Sequence, residues 1–206
     1  MELDMVTSKL FADTPTKVEE PEKGINIYVH VEDELGNRVL SKKSSTLLSN
    51  FYAALYSHIS SSLAYYRRLD GTIDQVTPSS KTFSVKGASG QTNLGIVVGT
   101  STTPVSMTDF SLGSQIPHGI GAGQLLYGST DVTDLDFLSN MTRFYVTRLF
   151  TNNSGADITV NEVGILAHFY NRYGFTFPAL IDRTLATFVV PHGSSRNVIY
   201  EIRVVV

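Results

Sequence analysis

The 206 residues contain no cysteine and no tryptophan. Without cysteine there is no disulfide framework and no thiolate metal site, so packing and hydrogen bonds alone must hold the fold. The missing tryptophan weakens any reading of the aromatic residues as a carbohydrate platform. An excess of positive charge is also lacking. The formal net charge is −3, and the densest basic sites are the pairs Lys42-Lys43 and Arg67-Arg68. A general nucleic-acid binder needs a basic surface to displace counterions from phosphates, so that class is excluded. No apolar run reaches the length of a membrane span. The opening MELDMVTSKLFADTPTKVEEPEKG is acidic and polar, the wrong chemistry for a signal peptide. The expectation is a chain made and kept inside the cell, or released by lysis.

What is abundant points to β structure. Ser and Thr are frequent, there are 16 glycines, and Val, Ile, Tyr and Phe recur. These residues suit pleated, half-buried surfaces joined by tight turns. Residues 1–24, with Pro15 and Pro21 and few apolar side chains, read as an extended arm. Ile25, Ile27, Val29 and Val31 then alternate with polar neighbours, a strand with one buried face. Leu35–Arg38 makes a turn into a return strand at Val39-Leu40. From Ser44 to Tyr66 the period changes. Leu47, Phe51, Leu55, Ile59 and Leu63 recur every four residues, an amphipathic helix capped by Ser44 or Ser45. Its expected task is to cover one face or end of a sheet.

Beyond the helix, short strands are expected near Thr72–Val76 and Thr82–Lys86, with a buried strand at Leu94–Val98. A long loop follows from Gly99 to about Gly123; in a compact domain such a loop is functional or packed on a neighbour. Strands are expected at Thr142–Phe150, Ile158–Ala167, Leu180–Val190 and Asn197–Val206, and the chain ends in mid-strand. This spacing predicts an antiparallel β-sandwich, Greek-key or jelly-roll-like, over residues 25–206 as a single domain.

Catalytic patterns are sparse. His30, His58, His118, His168 and His192 fall in no metal-ligand spacing. No G-x-S-x-G elbow is present, and Gly119–Gly123 lies in a loop, outside the strand-to-helix context of a dinucleotide site. Asp131, Asp134 and Asp136 carry oxygen ligands suited to calcium but do not follow an EF-hand spacing. Asp134, Asp136 and Glu162 are the only loose candidates for a hydrolase carboxylate pair. Asp182-Arg183 and Glu162 are placed either to form a buried ion pair between neighbouring strands or to lie on solvated strand faces. Phe169, Tyr170, Arg172, Tyr173, Phe175 and Phe177 read as an exposed aromatic and arginine loop. Such residues are favoured at protein interfaces; folding back over the core is the plain alternative.

Several segments resemble a group of structural virion proteins of tailed bacteriophages. They are Asn93–Thr100 followed by Pro104-Val105 and Asp109–Leu112, then Arg148–Gly155 with Ile158–Gly164. The ending Leu180–Arg183, Val189–Gly193 and Tyr200–Ile202 fits the same scheme, as does the hairpin near residue 30 leading into the helix. The resemblance covers about three quarters of the chain. It implies a β-sandwich virion component with no catalytic residues, no cofactor and no metal. Expected partners are copies of itself and other virion proteins, with no nucleic acid and no membrane. Its place would be the virion, assembled in the host bacterial cytoplasm, at the head–tail neck or collar or as a capsid decoration. The alternative is a receptor- or glycan-binding module of a tail fibre or baseplate, meeting a host-surface glycan through Phe169–Phe177.

Overall fold

The computed structural model describes residues 22–44 and 47–206. The chain is mainly β, in antiparallel sheets with one helix, as its residue pattern predicts. Most of the arm expected at residues 1–24 lies outside the described residues; its last residue, Gly24, already opens the first strand. The strands are β1 (Gly24–Glu32), β2 (Arg38–Lys43), β3 (Ala64–Arg67), β4 (Ile73–Val76), β5 (Gly95–Gly99) and β6 (Leu126–Val132). They continue with β7 (Asp136–Phe137), β8 (Met141–Thr151), β9 (Ile158–Tyr170), β10 (Thr176–Val190) and β11 (Ser195–Val205). One sheet runs β2-β1-β11-β8-β6 with β7 added on β8, and a second runs β10-β9-β5. β3 and β4 form a separate hairpin.

The two larger sheets pack face to face. Val29, Val146, Phe150, Val198 and Tyr200 from the first meet Val97, Val163, Leu166 and Leu180 from the second in one core. The chain crosses between these sheets at β5–β6, at β8–β9 and at β10–β11; the last two corners lie together. Asn152 locks both corners. Its backbone pairs with Ser194 and Gly193, and its buried amide donates to the carbonyls of Ala156 and Val190 at 2.8 and 2.7 Å.

Three expectations need correction. First, the helix is shorter than 44–66: α1 spans Ser49–Ser60. No side chain caps it. Ser44 instead donates to Asp182 at 2.6 Å, and Ser45 lies outside the described residues. Ser61 takes a left-handed conformation (φ 54°) and stops the helix, so Ala64–Arg67 is free to become β3. Second, Thr82–Lys86 forms no regular strand. Phe83 sits at φ 69°, and the segment meets the edge of β9 through a Phe83–His168–Ser84 pair of backbone bonds and one from the Tyr170 amide to the Thr82 hydroxyl. Third, most of the apolar stripe expected of the helix faces away from the core, and within α1 only Phe51 of that stripe packs against it. The buried face is Asn50, Ala54 and Ser57, whereas Tyr52, Leu55, Tyr56 and Ile59 are exposed. Asn50 is buried because its amide bridges the carbonyls of Arg67 and Leu180, which hang β3 and β10 on the helix.

Candidate functional site

The expected aromatic loop is divided by the structure. β9 and β10 run further than their composition suggests, pairing Phe169 with Phe177 and Tyr170 with Thr176. Phe169 is therefore a core residue, fully buried against Tyr66, because the ladder carries it past the point where the sequence reads as loop. Tyr170 and Phe177 are half-buried on the strands, and Phe177 carries the Arg68 guanidinium 3.4 Å from its ring centroid. Arg172, Tyr173 and Phe175 are exposed at the hairpin tip.

Asn171 makes that tip rigid. Its buried side-chain oxygen accepts from the amides of Tyr173 and Phe175 at 3.1 and 2.9 Å, and its amide group donates to Asp74 at 3.0 Å. Gly174 supplies the positive φ of 89° that the turn requires. The Asp74 contact seats the β3–β4 hairpin beside the tip. Tyr65, Ile73, Asp74, Gln75, Arg172 and Tyr173 then surround an open depression of about 310 Å³. Gln75 Oε1 is buried there without a hydrogen-bond partner. Ile73, Asp74 and Gln75 carry no sequence signal of a site. Tyr65 stands among the aromatics of the sequence but falls within the helix expected over 44–66; the Ser60-Ser61-Ser62 run is the signal that places it beyond α1, on β3.

The pairing of Glu162 with Arg183 is a buried ion pair at 2.7 Å rather than a pair of solvated faces. It organises the long loop. Glu162 accepts from the amides of Ser101, Gly113 and Ser114 at 2.8–3.3 Å. Arg183 donates to the Pro104 and Thr103 carbonyls and to Asp109. A Cβ at Gly99 would collide with the Glu162 carboxylate and lie 2.5 Å from the Ser114 carbonyl oxygen, so only glycine admits this approach. The segment at Ser114–Ile116 returns along β5 through Thr100–Ser114 and Ile116–Val98 hydrogen bonds and covers that sheet edge.

Other buried polar groups are internal too. Arg148 gives its guanidinium donors to the carbonyls of Gly128, Leu94, Ile96, Ala88 and Gln91, tying β8 to the lead-in of β5. Burial pulls its pKa down to about 10. Asp182 is fully buried and accepts from Ser44, Thr184 and Tyr200, with no cation paired to it among the described residues. Burial pushes its carboxyl up to about 6. His30 meets Glu201 at 3.0 Å, and this bond is the main cause that lowers the Glu201 pKa.

The hydrolase and calcium candidates are not assembled. Glu162 is sealed under its loop, Asp136 pairs with Arg143 at 3.0 Å on the other sheet, and Asp131 and Asp134 are exposed. Among the described residues no three His, Asp or Glu side chains are grouped to hold a metal ion, and no helix is long and apolar enough to cross a membrane. No protein-family model, curated protein or solved structure matches the chain.

Proposed function

We propose that this protein is a structural subunit of a tailed-phage virion that acts through protein–protein assembly, at the head–tail neck or collar or on the capsid. The observation that carries the assembly reading is the outward apolar stripe of α1. Ile59 is 77% exposed and Leu55 is 36% exposed, at positions whose spacing would bury them in a helix serving only its own core. Tyr56 lies on the same outer face, and Tyr65, Ile73 and Tyr173 extend the exposed surface across the adjoining hairpins. An apolar surface of this kind on a soluble fold marks an interaction site. The phage assignment rests on the sequence resemblance.

The test is the solution mass of the full chain, alone and as Ile59→Asp. A closed oligomer of defined mass that becomes monomeric in the variant, with unchanged circular dichroism, is the expected result. A monomer at every concentration, with the variant identical, overturns self-assembly through this face.

A second reading has its own observation, the depression between Tyr65 and Tyr173. Two exposed aromatic rings beside Asp74, Gln75 and Arg172 suit a sugar, whose C–H face packs on a ring while its hydroxyls meet polar groups. Saturable glycan binding that is lost in Tyr173→Ala would establish it.

A further inference from the structure

Where the two sheets splay apart beside α1, the interior is not filled. A void of about 220 Å³ lies there, and apart from Asp182 every residue around it is apolar; Ile27, Phe51, Val146, Ile165, Ile181 and Ile202 form its walls. It continues outward into a groove of about 250 Å³ between β1 and α1. Ile25, Ile27, Leu47 and Phe51 border both, and Tyr52 and Leu55 form the outer wall. Ile25 is 64% exposed although it begins a core strand. Close packing is the rule in protein interiors, so an open apolar slot is normally filled by something.

We propose that this groove receives residues 3–11 of this same polypeptide. The chain enters the described fold at Glu22, on the rim of the groove. There the Glu22 carboxylate is bonded to Lys43, itself a groove residue, and the Glu22 carbonyl accepts from the Asn26 amide at 2.6 Å. Charge continues the fit: Glu22, the last acidic residue of the run Glu19-Glu20-Pro21-Glu22, is the partner of Lys43. Upstream, Leu3, Met5, Val6, Leu10 and Phe11 gather most of the large apolar side chains of the first 21 residues. From Glu22 back to Phe11 the backbone can reach on the order of 35 Å, at about 3.3 Å per extended residue. Apolar side chains of the segment would fill the slot, and its acidic connector would remain on the lysines.

The full chain makes a clean test, because it has no native tryptophan. In Phe11→Trp the introduced indole is the only one. The expected result is blue-shifted emission and iodide quenching several-fold weaker than for a free indole. Adding Ile25→Asp at the rim should restore quenching to the free value while circular dichroism stays unchanged. If that variant fails to fold, Leu55→Asp blocks the mouth from the helix side. Concentration-independent protection means a chain fills its own groove, as proposed; protection lost on dilution means a neighbouring copy fills it and overturns filling by the same chain. Free-indole quenching in Phe11→Trp alone overturns it, as does protection that survives both rim substitutions. A small apolar ligand retained in native mass spectra while the indole stays exposed also overturns it.

Discussion

Glu162 and Arg183 meet across β9 and β10 with Oε2 and Nε 2.7 Å apart, and solvent reaches only 0% of one side chain and 2% of the other. The pair connects a strand to a loop as well as to its neighbouring strand. The carboxylate fills the backbone amides of residues 101, 113 and 114, and the guanidinium fills carbonyls at 103 and 104.

Removing one partner should therefore cost far more than a surface ion pair would. Arg183→Met leaves the Glu162 charge buried and uncompensated, which typically costs about 3–5 kcal/mol. Glu162→Gln is expected to be nearly as damaging, because the new amide must turn donors toward the Gly113 amide or the Arg183 guanidinium. Urea unfolding measures both. In each variant, hydrogen exchange at Ser101, Gly113 and Ser114 should accelerate more than exchange in β8 and β11.

Arg148 supports a second prediction. Its planar fork serves five carbonyls at once. Arg148→Lys keeps the charge but has only three donors, so at least two carbonyls lose their partner at about 1–3 kcal/mol each. A fall of at least about 2 kcal/mol in unfolding free energy is expected. A loss below about 0.5 kcal/mol, the level of an ordinary surface substitution, would show that water replaces the guanidinium.

Asp182 gives a pH signature with a definite sign. Its folded pKa of about 6 stands above the ordinary aspartate value of 3.8. Between these values the folded state binds the extra proton, so this group's contribution to stability falls as pH rises from 4 to 6. Above about pH 6 the full penalty of the buried charge remains, on the order of 3 kcal/mol. Asp182→Asn should remove this slope. Thermal unfolding of parent and variant from pH 4 to 8 is the measurement, and the difference between the two melting curves should widen in favour of the variant as pH rises. Parallel curves would contradict a titrating Asp182.

Tyr173→Ala and Tyr65→Ala should separate surface from scaffold. Both rings are largely exposed, so each substitution is expected to change stability by about 0.5 kcal/mol or less. A larger loss would mean that these rings hold the two hairpins together. Phe169→Ala, six positions or fewer from the same tip, removes a fully buried ring and should cost about 3–5 kcal/mol.

Particular elements show how far the residues alone could be read. The alternation along β1 and β11 is plain because one face of each packs on the core while much of the other stays partly open. β6 was not legible. Gly128 and Ser129 interrupt its pattern, and the pairing with β8 shifts between Tyr127 and Thr130. β10 starts at Thr176 rather than at the expected Leu180, because Thr176–Ala179 pair with Tyr170–Ala167 of β9 across a stretch whose aromatics and Pro178 read as loop. The aromatic tip was half read: Tyr173 and Phe175 are exposed as expected, but the ladder drew Phe169 inward.

The sequence by itself determined a β-rich antiparallel fold, held without disulfides, with one helical segment and a long loop after β5. Local periodicity and turn chemistry carry that information, because each depends on near neighbours in the chain. Tertiary structure alone decided which side of the helix faces inward, which residues join Tyr173 around the depression, and that Glu162 and Arg183 are sealed beneath the loop. Those outcomes depend on contacts between residues far apart in sequence. Asn50 turns inward because its amide finds the carbonyls of Arg67 and Leu180, and that choice leaves most of the apolar stripe of α1 facing out.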